Sequence, residues 1–339
     1  MTNALHERAL VIDAHNDSIV AHIRRGNLRL DGTQPDGWKE RAGAAAYLRQ
    51  YETPLGGQAV QLDLPKMKRG GLDAAFFAVD CTRPWGNHLL YGLDALGYFL
   101  SEVEAFSSEI AVARGADDIL QAKAAGKRAA VLAIENSDAL EKSLYVLSHL
   151  YQIGVRSVTL THSTRSFAAD GCEVEGGGGL TDFGTRLVEK MNALGMLVDI
   201  SHINERGFWD TLERSHHPVV GTHNCCRALC DHPRNLHDEQ LKALAEKGGV
   251  VGITFVPFFV SDEAPTLEGL LDHIEHAISV AGIDHVGLGS DFDGGGELVQ
   301  DATILPQITE GLSARGYDEG ALEKFLGLNW LRVFRDVVG

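Results

Sequence analysis

No stretch of this sequence is apolar for long enough to cross a bilayer, so a membrane-spanning helix is excluded. Aromatic residues make up only 7%, and Lys plus Arg number 30 against 47 Asp plus Glu. The resulting net charge of −17 repels nucleic acid and anionic membranes, so neither is expected as a partner. Cysteines are few and odd in number, namely Cys81, Cys172, Cys225, Cys226 and Cys230, with no regular disulfide spacing. They read as reduced thiols of a cytosolic chain. Cys226 and Cys230 suggest a soft-metal site, but no second pair supports it. The segment MTNALHERALVIDAHND lacks the basic and apolar regions of a signal peptide, and no anchor-type tail follows at the other end, so a cytoplasmic location is expected.

What is present is a series of short, continuous apolar runs. A strand buried on both faces reads this way. There are eight such runs: Ala9–His15, Ala74–Asp80, Ala130–Glu135, Ser157–His162, Leu197–His202, Val219–His223, Val250–Phe255 and His285–Asp291. Helical periodicity fills most intervals, as in Leu93–Ala113, Asp182–Leu194, Asp238–Ala245 and Leu267–Ala281. Thr181 and Thr266 stand where helix N-caps belong. Alternating strands and helices imply a parallel sheet. Eight units predict an α/β fold of the (β/α)8 TIM barrel type, with a doubly wound open sheet as the alternative. The whole chain, 1–339, reads as one barrel domain with an insertion at about 20–70, itself carrying some helix around 39–50. The Gly-rich stretch Ser163–Leu180 reads as a functional loop.

Six of the eight runs end in a residue fit for metal binding or acid–base work: His15 with Asp17, Glu135, His162, His202, His223 and Asp291. In a (β/α)8 barrel the strand C-termini form one mouth, so these endings converge there. His15 and Asp17, two apart, can reach one ion. Glu135 has two oxygens and can bridge to a second ion completed by His202 and His223. Imidazole and carboxylate suit zinc, and also manganese, iron or cobalt. Two ions sharing a water polarise a substrate oxygen and lower the water's pKa.

As a set, the motifs resemble those of the membrane dipeptidase (renal dipeptidase) family, a branch of the amidohydrolase-like barrels. They are IDAHND (12–17), AIEN (133–136), LTH (160–162), DISH (199–202), THN (222–224), HPRN (232–235), GSDFDG (289–294) and GLNWLRVF (327–334). The resemblance runs from Val11 to about Phe334 and is to the soluble, bacterial-type members. It implies a zinc-dependent hydrolase that cleaves dipeptides with a binuclear centre and a metal-bridging hydroxide. The implied ligands are His15 and Asp17 for one Zn²⁺, Glu135 as the bridge, and His202 and His223 for the other. His162 would stabilise the oxyanion, and Arg234 would bind the substrate carboxylate. Asp291 would take a proton from the water and pass it to the leaving amine. Asp293 reads as a loop-capping residue. The family accepts L- and D-configured C-terminal residues, and homodimers are common in it. One departure stands out: an Asn-Phe-Tyr triplet is frequent at the end of the seventh strand in the family, and here the stretch is Thr254-Phe255-Val256.

Two other readings compete. Other amidohydrolase-type hydrolases usually carry His-x-His on the first strand, and many use a carboxylated Lys on the fourth. This chain has His-x-Asp and no Lys near His162. An inactive metal-binding barrel serving as a binding protein would be expected to lack a ligand or Asp291, and none is missing.

Overall fold

The structure is a computed structural model that describes residues 2–35, 60–82, 87–296 and 298–339. The helix expected around 39–50 lies outside the described residues. Nine parallel strands are present among the described residues: β1 (Ile12–Asn16), β2 (Ala74–Asp80), β3 (Ile110–Val112), β4 (Arg128–Glu135), β5 (Val155–Thr159), β6 (Leu197–Asp199), β7 (Val219–Asn224), β8 (Val251–Ile253) and β9 (Val286–Leu288). Eight of them close into a barrel in the order β1-β2-β4-β5-β6-β7-β8-β9, with β9 returning to β1. The open sheet is thereby excluded.

β3 is the element that periodicity missed. The helix expected over Leu93–Ala113 runs instead as His88–Ala105, and the chain then turns into β3. β3 pairs with the first residues of β4, while β5 pairs with β4 from Leu132 onward. The two therefore share one edge of β4, and β3 lies outside the closed ring. Three residues of alternation are too few to stand out from the end of an amphipathic helix.

Parity along the strands separates two cores. Ala75, Phe77 and Val79 of β2 and Ala130, Leu132 and Ile134 of β4 join the large cluster packed under the outer helices. Ala74, Phe76, Ala129 and Val131 point the other way and join Ile12, Leu197 and Val220 in a second cluster. That second cluster fills the barrel interior and is closed by Trp330 and Phe334 of the last helix, Asn329–Val338. The Trp330 indole donates to Leu288 O at 2.9 Å. Gly287 makes room for it, since a Cβ there would lie 2.4 Å from the indole nitrogen. The expected caps are in place: Thr181 Oγ1 accepts from Gly184 N at 3.0 Å, and Thr266 Oγ1 accepts from Gly269 N at 3.1 Å.

Candidate metal centre and substrate mouth

Inward parity on β4 runs Ala129, Val131, Ala133, Glu135, which puts the Glu135 carboxylate at the C-terminal mouth. Simple alternation fails for β1 and β7. Ile12 and Val220 face the interior, so His15 and His223, each three residues on, would face outward. A one-residue bulge in each strand corrects this. Asp13 and Asn16 pair with Ala75 and Phe77, and Gly221 and Asn224 pair with Val251 and Ile253. Three residues thus oppose two, and the histidine in the bulge is turned inward. His202 lies beyond the end of β6 and turns inward through a left-handed backbone, φ 67°. Asp291, after β9, does the same at φ 60°. Such conformations cost roughly 1–3 kcal/mol each and persist where packing enforces them.

These side chains meet. His202 Nε2 lies 2.8 Å and His223 Nε2 3.5 Å from Glu135 Oε1. His15 Nε2 is 3.7 Å from Glu135 Oε2 and 3.9 Å from Asp291 Oδ1. His15, Asp17 and Asp291 form one compact donor group, and Glu135, His202 and His223 form another, each with ligand atoms within 4.8 Å of one another. Asp17 lies just beyond β1, at the start of the helix Ser18–Arg24. His162 stacks on His202 with ring centroids 4.1 Å apart. All the residues singled out from the sequence as ligands are therefore at one mouth.

The donor set fits divalent metal. His15 Nε2 and Asp17 Oδ1 are buried polar atoms without a hydrogen-bond partner, a costly state in the absence of a cation. Thr222 Oγ1 gives its one proton to Asp199 at 2.6 Å, so it can only accept from His223 Nδ1, 2.9 Å away. That bond fixes the tautomer and leaves the His223 Nε2 lone pair toward the mouth. Asp199 itself is saturated by Thr159, Ser201 and Thr222. Burial lowers the pKa of all three imidazoles, reinforced by the Arg234 charge, with His15 brought to about 3. They are neutral, the form that binds metal. Burial and neighbouring carboxylates push Asp17 and Glu135 well up, which marks a site whose carboxylates await positive charge.

Arg234, on the loop after β7, is 2% exposed. Its Nη2 donates to His223 O at 2.9 Å, while Nε and Nη1 have no partner. The guanidinium carbon lies 5.1 Å from the centre of the Phe259 ring. Two unpaired donors on one buried guanidinium are what a carboxylate would satisfy. Asp291 is raised to about 6 by burial and by Asp80, against the opposing pull of Arg234. It can therefore exchange a proton near neutral pH. Gly294 keeps this carboxylate free, since a Cβ there would lie 2.0 Å from Asp291 Oδ1. Asp293 accepts from Ser18 Oγ and Gln61 N, the loop-tying part expected of it. Val256 is buried at the start of the short helix Pro257–Val260.

Sequence reading passed over Asp80, which groups with Glu135 and His162. It ends its apolar run as Glu135 ends the next, and that shared ending was the available signal. It also passed over Asp199 and Thr222, whose parts depend on contacts between strands.

The five cysteines are free thiols. Among the described residues, no helix is long and apolar enough to cross a membrane.

The profile of the family described as "Membrane dipeptidase (Peptidase family M19)" matches residues 1–338. Dipeptidase verJ of Clonostachys rogersoniana is 35% identical over 240 residues, 69% of this chain and 62% of that protein. Dipeptidase tcpJ of Claviceps purpurea is 32% identical over 296 residues, 82% of this chain and 70% of that protein. A Rhodobacter sphaeroides metallopeptidase, solved with a phosphinate mimic of L-Ala-D-Ala, superposes with a TM-score of 0.83 at 28% identity, covering 97% of this chain and 99% of its own. With its closed barrel and its donor-lined mouth, this chain belongs to the membrane dipeptidase family, metallopeptidases that hydrolyse dipeptides.

Proposed function

We propose that this enzyme binds two Zn²⁺ ions at the barrel mouth and hydrolyses dipeptides by attack of an activated water. His15 and Asp17 would hold one ion, His202 and His223 the other, and Glu135 would join them. When bound, the ions supply Lewis acidity for the scissile carbonyl and lower the pKa of the attacking water. The chain's own residues do the rest. Arg234 receives the C-terminal carboxylate on Nε and Nη1. His162 donates to the carbonyl oxygen as negative charge develops. Asp291 accepts the proton released by the water and delivers it to the leaving nitrogen, so the C–N bond breaks to give a carboxylate and a free amine.

The observation that carries this reading is the pair of unpartnered Arg234 nitrogens at the same mouth as the metal donor set. The phosphinate bound by the Rhodobacter relative mimics L-Ala-D-Ala, which supports acceptance of D as well as L residues at the C-terminal position. Free thiols suit a reducing compartment, and the cytoplasm is the proposed location. The test is a screen of L-Xaa-L-Xaa and L-Xaa-D-Xaa dipeptides with zinc-loaded enzyme. Cleavage in either panel is expected. A flat response in both, with two equivalents of metal bound, overturns the assignment.

A further inference from the structure

Asp80 is an acidic side chain at the mouth to which the reading above gives no task. It ends β2 and pairs in register with Glu135, the last residue of β4. Ala74 and Phe76 of the same strand point into the barrel, so Asp80 has inward parity as well. One of its oxygens lies within 4.8 Å of a Glu135 oxygen and a His162 ring nitrogen. Like charges directly opposite on paired strands are destabilising, so this juxtaposition opposes folding rather than aiding it. Thr82 N donates to Asp80 Oδ1 at 2.6 Å, which ties the carboxylate in place. Among the described residues, no Lys or Arg pairs with it.

The opposite wall carries the complementary charge. Around the ring, β2 and β7 are four strands apart in either direction, so they face each other across the mouth. Arg234 follows β7 and is buried with two unpartnered nitrogens. Its Nη2 is held on His223 O at 2.9 Å, on the backbone of a residue whose ring belongs to the donor set of the mouth. The mouth therefore has a cationic pole after β7, an anionic pole at the end of β2, and the metal donor set between them. A dipeptide is a zwitterion whose ends lie at most about 7 Å apart. With its carboxylate on Arg234 and its peptide bond over the donor set, its α-ammonium is directed toward β2.

We infer that Asp80 accepts the α-ammonium of the substrate and so confines the enzyme to peptides with a free amino terminus. This rests on the dipeptidase reading above and adds to it the substrate's second charged end. Removing the acceptor leaves an ammonium desolvated and unpaired, whereas a substrate without that ammonium loses nothing.

The experiment compares L-Ala-L-Ala with propionyl-L-Ala, its counterpart lacking the amino group, in zinc-loaded wild type, Asp80→Asn and Asp80→Ser. Released alanine is the readout, and bound metal is counted in each preparation. Wild type is expected to prefer L-Ala-L-Ala strongly. Both variants are expected to lose about 10- to 100-fold in kcat/KM on L-Ala-L-Ala, mostly through KM, and to change little on propionyl-L-Ala. Their metal content is expected to match wild type, and Arg234→Lys is expected to lose on both substrates alike. An unaltered preference in the Asp80 variants overturns the inference. So does loss of metal, which would make Asp80 a ligand instead. A wild type that is idle on both substrates overturns the dipeptidase reading, and the Asp80 role with it.

Discussion

The two ends of the barrel are built on opposite principles. At the N-terminal end, Ile12, Phe76, Val131, Leu197 and Val220 pack on Trp330 and Phe334, and the indole N–H is satisfied. At the C-terminal end, buried carboxylates face neutral imidazoles, and several polar atoms have no partner. Asn136, His202, Asp291 and Asp293, all just past strand C-termini, take left-handed backbones. Each of these features costs stability. The closed end offsets that cost with apolar burial, and the open end holds ligand atoms where a metal and a substrate can use them. One end makes the fold, and the other spends part of its stability on chemistry.

The contrast can be broken at either end. The largest effect is expected from Trp330→Ala, which empties the closed end and strands Leu288 O. It should cost about 3–5 kcal/mol in denaturant unfolding of the metal-loaded enzyme, with metal content kept in the fraction that remains folded. Asp291→Asn should do the reverse. We expect more than a hundredfold loss in kcat, about 2.7 kcal/mol or more, with metals retained and the unfolding midpoint little changed. Near-normal turnover would remove the proton-transfer role. Thr222→Val touches the mouth indirectly, by releasing His223 Nδ1 from its acceptor. Competition with a chelator should show metal affinity weaker by about 10- to 100-fold. The smallest effect belongs to neither end. Thr181→Ala removes an outer-helix cap and should cost about 1 kcal/mol, with kcat/KM on L-Ala-L-Ala unchanged.

Much of the fold was readable because both-face burial leaves a plain mark. Ala74–Asp80 was delimited to the residue, and the other seven runs each contain their strand or most of it. β3 was not readable, since Ile110–Val112 is short and is recruited only by the edge of β4. The ligand set was readable by type and by its place at the ends of runs. Its geometry was not. Period-two alternation places His15 and His223 on the outer face, and only the bulges reverse them. A bulge is a mismatch between two strands, and neither strand encodes it alone.

The family resemblance singled out Arg234, whereas the sequence's own pattern determined which donors are available: five metal-type residues and Asp291, each at or near the end of a buried run. Local periodicity suffices for that, because a strand's burial is written along its own residues. Only the tertiary structure decided how those groups face one another. The closure of β9 on β1, the inward turn of His15 and His223, the Asp199–Thr222 support behind His223, and the placement of Asp80 across from Arg234 all depend on contacts between distant segments. Such contacts form only when the barrel closes, so no single segment carries them.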